Sequence, residues 1–128
     1  MNVSVTRAAA MLLLVRSSVG TLDPALAQDP VAGKAVFTSQ CLICHPIQSG
    51  RNMVGPSLFG IVGRKSGSVP GFHYSAANKD ADLTWDEATL DNYLRAPMTT
   101  MPGTTMGYAG LKDDTQRSNL VAYLATLK

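Results

Sequence analysis

The chain has 128 residues, with 11 lysines and arginines against 9 aspartates and glutamates, a formal net charge of +2, and two cysteines. That balance excludes a nucleic-acid partner held by a basic face, because no run or stripe of positive charge exists to neutralise phosphates. The length allows one domain, or a leader followed by one.

The first 27 residues read as a cleavable secretion signal. Arg7 supplies a positive start, Ala8 to Val15 form an apolar run that Arg16 closes, and Ala25-Leu26-Ala27 give a small-x-small cleavage pattern. The apolar run is too short to span a bilayer, which takes about 20 residues as a helix. The expected domain is therefore 28–128, exported to the periplasm and not inserted in the membrane. At about 100 residues it lies near the size where a protein-only core is marginal, so a cofactor is expected to complete it.

Asp29 and Pro30 are an N-cap and first helical residue, opening a helix with Val31, Ala35 and Phe37 as candidate inner positions. This helix runs into Cys41-Leu42-Ile43-Cys44-His45. On one helical turn, two thiols three positions apart share a face and can add to the two vinyl groups of a haem. The histidine that follows then lies under the ring, within reach of iron. Three other readings compete at the level of this pentapeptide. Beyond the disulfide that two cysteines alone would suggest in an exported protein, they are coincidence, a thioredoxin-like dithiol, and half of a zinc site. The absence of a βαβ pattern and of a second cysteine pair weighs against the last two, His73 being the only other histidine.

From Gly50 to Gly71 the chain is rich in Gly, Pro and Ser and reads as one long loop. A loop of that length in a compact domain is expected to be packed on something, and a haem edge would serve. Thr84 with Glu87 has capping-box spacing, predicting a helix that carries Leu90, Tyr93 and Leu94 inward before Pro97 ends it. Asp113 with Gln116 repeats the start signal, and Leu120, Val121, Leu124 and Leu127 recur at helical spacing. No alternating run supports a sheet, so the fold class is all-α: three main helices joined by long loops.

Haem iron held by His45 needs a sixth ligand or an open position, and that choice separates electron transfer from small-molecule chemistry. Met53, Met98, Met101 and Met106 are the candidates. Met106 stands out because Pro102-Gly103-Thr104-Thr105 and Gly107-Tyr108-Ala109-Gly110 set it in an irregular loop that can present one thioether to a flat cofactor. A thioether opposite an imidazole also favours ferrous iron and suits one-electron traffic.

The segments GPSLFGIVGRKSGSVPGF, TWDEATLDNYL and MPGTTMGYAGLK, in that order, resemble those of the class I cytochromes c, near the mitochondrial proteins and the bacterial cytochromes c2. The resemblance covers about Gly33 to Leu127. It implies the cytochrome c fold around one haem c attached through Cys41 and Cys44, with crossing N- and C-terminal helices. His45 and Met106 are then the iron ligands, and the Pro56 carbonyl accepts a hydrogen bond from the His45 ring. Arg64, Tyr74 and Trp85 match positions that bond a haem propionate. Asn78, Tyr93 and Thr104 match the polar network beside the methionine. Gly33 and Phe37 with Leu120 and Tyr123 match the helix crossing.

The function so implied is that of a monomeric one-electron carrier in a respiratory or photosynthetic chain, not an enzyme. Its expected partners are redox proteins docking at the haem edge: a bc1-type complex, an oxidase, a reaction centre or a dehydrogenase. The alternatives are a haem protein with an open sixth position, peroxidase-like or gas-binding, and a cytochrome subunit of a periplasmic dehydrogenase. One departure concerns docking: Gln40, Met98, Thr99 and Thr105 stand where the mitochondrial proteins place lysines, which predicts weak salt dependence.

Overall fold

The computed structural model describes residues 28–128; the expected secretion signal and its cleavage site lie outside the described residues. Five helices follow one another in the described residues: α1 (Pro30–Gln40), α2 (Ala76–Asp80), α3 (Glu87–Arg95), α4 (Pro97–Thr100) and α5 (Asp114–Ala125). Among these residues there is no strand, only an isolated antiparallel bridge between Lys65 and Thr84, so the chain is all-α.

The start of α1 is where the sequence puts it. The Asp29 carboxylate accepts from the N–H groups of Val31 and Ala32 at 2.8 and 3.2 Å, and Pro30 wastes no donor in the first turn. Its inner face differs from the expectation. Gly33 and Phe37 are buried, whereas Val31 is 78% exposed and Ala35 also faces solvent. Residues 33 and 37 share one face, and a step of two along a helix is more than half a turn, so 31 and 35 must point away.

The buried face of α1 lies against α5. A Cβ built on Gly33 would come 1.9 Å from the Asn119 carbonyl oxygen, so only glycine lets the two backbones meet there. Phe37 then packs on Tyr123 with ring centroids 5.4 Å apart, and the Asn119 side chain accepts from the Asp29 N–H at 2.8 Å. The capping signal of α5 holds: the Asp113 carboxylate accepts from Gln116 N–H at 2.8 Å. Leu120, Val121, Tyr123 and Leu124 are buried, while Leu127 falls past the helix end and only packs against the core.

For α3 the cap moves by two residues. Asp86, not Thr84, is the N-cap, and it accepts from Thr89 N–H at 2.7 Å. Thr84 and Trp85 are drawn into extended backbone against the long loop: Trp85 N–H donates to Arg64 at 2.8 Å, and Gly63 N–H donates to Trp85 at 2.9 Å. Leu90, Tyr93 and Leu94 do point inward, but Pro97 opens α4 as well as closing α3. The 2% exposed Arg117 pins α5 to α3, donating to Asp91 at 2.7 Å, to the Leu111 carbonyl at 3.0 Å and to Asp114.

Candidate functional site

One apolar cleft of about 310 Å³ opens between the turn that ends α1, the long loop, the inner faces of α3 and α5, and the loop after α4. Cys41, the C-cap of α1, begins its first wall. The turn is closed by bonds to the Cys41 carbonyl from Cys44 N–H at 3.0 Å and His45 N–H at 2.9 Å. Cys41, Cys44 and His45 therefore all line the cleft from one compact turn.

Both thiols are free, so the disulfide reading is not what the structure holds. Burial, with Cys44 beside it, pushes the Cys41 thiol up to about 11, which keeps it protonated at neutral pH. A thiol held protonated is a poor nucleophile in disulfide exchange, which argues against the dithiol reading. Among the described residues, no group of three or more His, Cys, Asp or Glu is placed to share a metal ion.

The His45 imidazole is fixed from two sides. Nδ1 donates to the Pro56 carbonyl at 2.8 Å, which leaves the Nε2 lone pair as the free coordinating position. Gly55 lies against the ring: a Cβ there would come 2.3 Å from Cε1 and 2.7 Å from Nε2. Gly55 N–H in turn donates to Cys44 at 2.9 Å, so backbone joins the cradle to the attachment turn. Burial lowers the His45 pKa, the Pro56 bond opposes this, and the Arg64 charge adds to the lowering. The neutral imidazole, the form that binds metals, is thereby favoured.

Only one of the four methionine candidates lines the cleft, and it is Met106. Met101 is buried in the core, and Met53 and Met98 are exposed at 52% and 56%. The Tyr93 hydroxyl donates to Met106 Sδ at 3.7 Å, and Thr104 Oγ1 accepts from Met106 N–H at 3.3 Å and from Asn78 Nδ2 at 3.5 Å. Asn78, Tyr93, Thr104 and Met106 are thus one network, although they come from three separate segments.

Arg64, Tyr74 and Trp85 meet along the cleft as well. Arg64 is held by its outer nitrogens, which donate to the Phe59 and Ser57 carbonyls at 3.0 Å each. Its Nε is a buried donor with no partner, which is costly unless something bound there accepts the bond. The Tyr74 hydroxyl accepts from Val69 N–H at 3.2 Å and keeps its own proton for another acceptor. Sequence reasoning missed Gly55, Tyr108 and the apolar floor of Ile61, Leu90, Leu94, Leu120 and Leu124 as site residues. The helical residues among these were readable as core, but not as the lining of a cleft.

The family model for cytochrome c matches residues 30–128, nearly every described residue. The chain belongs to the cytochrome c family. Cytochrome c2 of Rhodopila globiformis is 48% identical over 100 residues, covering 78% of this chain and 94% of that protein. Cytochrome c2 of Rhodoblastus acidophilus is 50% identical over 103 residues, covering 80% and 95%. Cytochrome c of Trypanosoma brucei brucei is 57% identical over 81 residues, covering 63% and 87%.

The cofactor of the cytochrome c family is covalent haem c, and this cleft fits it on its own features. It is apolar, and an imidazole and a thioether are both in its lining. It has two free cysteine sulfurs in its lining, and the unpartnered Arg64 Nε suits the carboxylate that such a group carries.

Proposed function

We propose that this chain is a periplasmic one-electron carrier of a respiratory or photosynthetic chain, holding one haem c through Cys41 and Cys44 with His45 and Met106 as axial ligands. The observation that supports this reading is that His45, with Nε2 left free by the Nδ1 bond to Pro56, and Met106 line the same apolar cleft as Cys41 and Cys44. Haem c, when bound, supplies the one-electron ferrous–ferric couple of its iron.

The chain's own residues do the rest. The Pro56 carbonyl and Gly55 orient the imidazole, so little rearranges when charge changes. Tyr93 and Thr104 orient the thioether and the loop that bears it. Arg64, Tyr74 and Trp85 offer donors to the propionate, whose burial would otherwise be unfavourable. Leu90, Leu94, Leu120 and Leu124 exclude water from the floor. His45 and Met106 would together hold the iron and leave it no open coordination site for a substrate, which favours a carrier over an enzyme. The segment 1–27 serves as the export signal, and no helix of the described residues is long and apolar enough to cross a membrane.

Partners dock at the mouth of the cleft, where Gln40 and Thr105 are exposed and uncharged, as are Met98 and Thr99 of α4. Long-range steering requires charge, so the rate of electron transfer to a mitochondrial-type oxidase falls only shallowly with ionic strength; a steep fall contradicts that docking face.

The central test uses protein matured in a host that attaches haem c. The ferric form is expected to show the near-infrared charge-transfer band of methionine ligation, and Met106→Ala to lose it while keeping its colour. A colourless protein, or a band that survives in Met106→Ala, overturns the reading.

A further inference from the structure

The loop that bears Met106 is weakly tied by backbone. Among the described residues, positions 105–110 make no backbone–backbone hydrogen bond. The last such bond before them is Thr104 N–H to Met101 at 3.1 Å, and the next after them is Leu111 N–H to Leu94 at 2.8 Å. Gly103 and Gly110 bracket the stretch at φ 90° and 96°, and Gly107 has open space around it. Gly110 packs closely on the Arg95 backbone at the far end, and what holds the rest of the segment in place is side-chain contact.

Two such contacts reach across space. One, from Tyr93 to Met106, stays on the methionine side of the cleft. The other joins the two sides: the Tyr108 hydroxyl donates to Gln40 Oε1 at 2.5 Å, over 68 positions of sequence. Gln40 is the last residue of α1 and precedes Cys41, so this bond ties the methionine loop to the attachment turn. Tyr108 also packs against the core, and both Gln40 and Tyr108 line the cleft.

We propose that Tyr108 and Gln40 form a clasp across the mouth of the cleft, making Tyr108 a positioning residue that holds Met106 in its ligating position. The proposal rests on Met106 being an axial ligand, as argued above. For the thioether to leave, the 105–110 segment must swing outward, and that motion breaks the clasp. Opening leaves Gln40, already exposed, free to hydrate, so the clasp shifts the equilibrium by the net strength of one hydrogen bond and not by a burial penalty.

The test is imidazole titration of the ferric holoprotein, followed by loss of the near-infrared methionine band, because added imidazole binds only when Met106 departs. Tyr108→Phe keeps the ring and its packing, and Gln40→Ala changes an exposed helix end. Each is expected to raise the apparent imidazole affinity about three- to ten-fold, the factor that a hydrogen bond of ordinary net strength confers. The double variant is expected to match the single ones. Unchanged affinity in Tyr108→Phe, or effects that add in the double variant, overturns the clasp alone. A wild-type protein with no methionine band overturns Met106 ligation and the clasp together, so the two failures are told apart.

Discussion

Gly55→Ala tests the cradle of the proximal ligand. The added Cβ would lie 2.3 Å from His45 Cε1, 2.6 Å from Nδ1 and 2.7 Å from Nε2, far inside any tolerated carbon contact. The ring must retreat by more than an ångström, yet it is tethered by the 2.8 Å bond from Nδ1 to Pro56 and by the short turn from Cys41. Overpacking a filled space costs about 1–3 kcal/mol. Losing the Pro56 bond adds about 1 kcal/mol, giving an expected destabilisation of about 2–4 kcal/mol. For a domain of this size each kcal/mol moves the midpoint by about 4–8 °C, so the holoprotein should melt at least about 8 °C lower, followed by far-ultraviolet circular dichroism. The reduction potential should move upward, because an imidazole that donates no hydrogen bond is a weaker donor and supports ferric iron less. A variant that melts within about 2 °C of wild type, at an unchanged potential, would show that the imidazole does not depend on this glycine.

Gly33→Ala is expected to destabilise by about 1–3 kcal/mol in denaturant titration, although alanine is the better helix former, because its Cβ would strike the Asn119 carbonyl at 1.9 Å. A gain in stability would refute the close helix crossing. Arg117→Met should cost about 1–3 kcal/mol by leaving the Leu111 carbonyl without its buried donor and Asp91 with only Arg95 beside it; a midpoint equal to wild type counts against the pin. Acid should also weaken the fold through Asp86 and Asp114, both held below the usual carboxylate range. For Asp86 the cause is hydrogen bonding from Thr89, and for Asp114 it is the hydrogen bond and charge of Arg117. A depressed folded pKa gives stability that is present above the unfolded value near 4 and lost as pH falls through the lower folded one. Asp86→Asn and Asp114→Asn should therefore flatten the acid limb of a stability–pH curve, and a limb of unchanged slope would contradict it.

Local signals were the legible ones. Asp29 and Asp113 cap their helices as their side chains require, and the attachment turn follows from five consecutive residues. Where tertiary contact overrides a local preference, the sequence misleads. Thr84 has the spacing of a cap but is drawn against the loop that carries Arg64, so the cap passes to Asp86. Val31 and Ala35 are apolar yet exposed, because the face of α1 is chosen by the glycine that lets α5 approach. Five residues of α2 are too few for a period to register. Arg117 reads as surface by its charge, and only the folded chain supplies the carboxylates and carbonyl that let it be buried. The methionine was readable from its loop, whereas its tie through Tyr108 to Gln40 joins residues too far apart in sequence for any spacing rule.

The two walls of the cleft are built to different stiffness. On the histidine side, backbone does the fixing: the Pro56 carbonyl, Gly55 against the ring, and the return bond from Gly55 to Cys44. On the methionine side, between Thr104 and Leu111, side chains do it, through Tyr93, Thr104 Oγ1 and Tyr108. A backbone contact survives most substitutions, while a side-chain contact is lost with one. Variation in this chain should therefore tune the iron mainly from the methionine side. On the proposed attachment through Cys41 and Cys44, the imidazole side would keep the cofactor in place when the methionine loop moves.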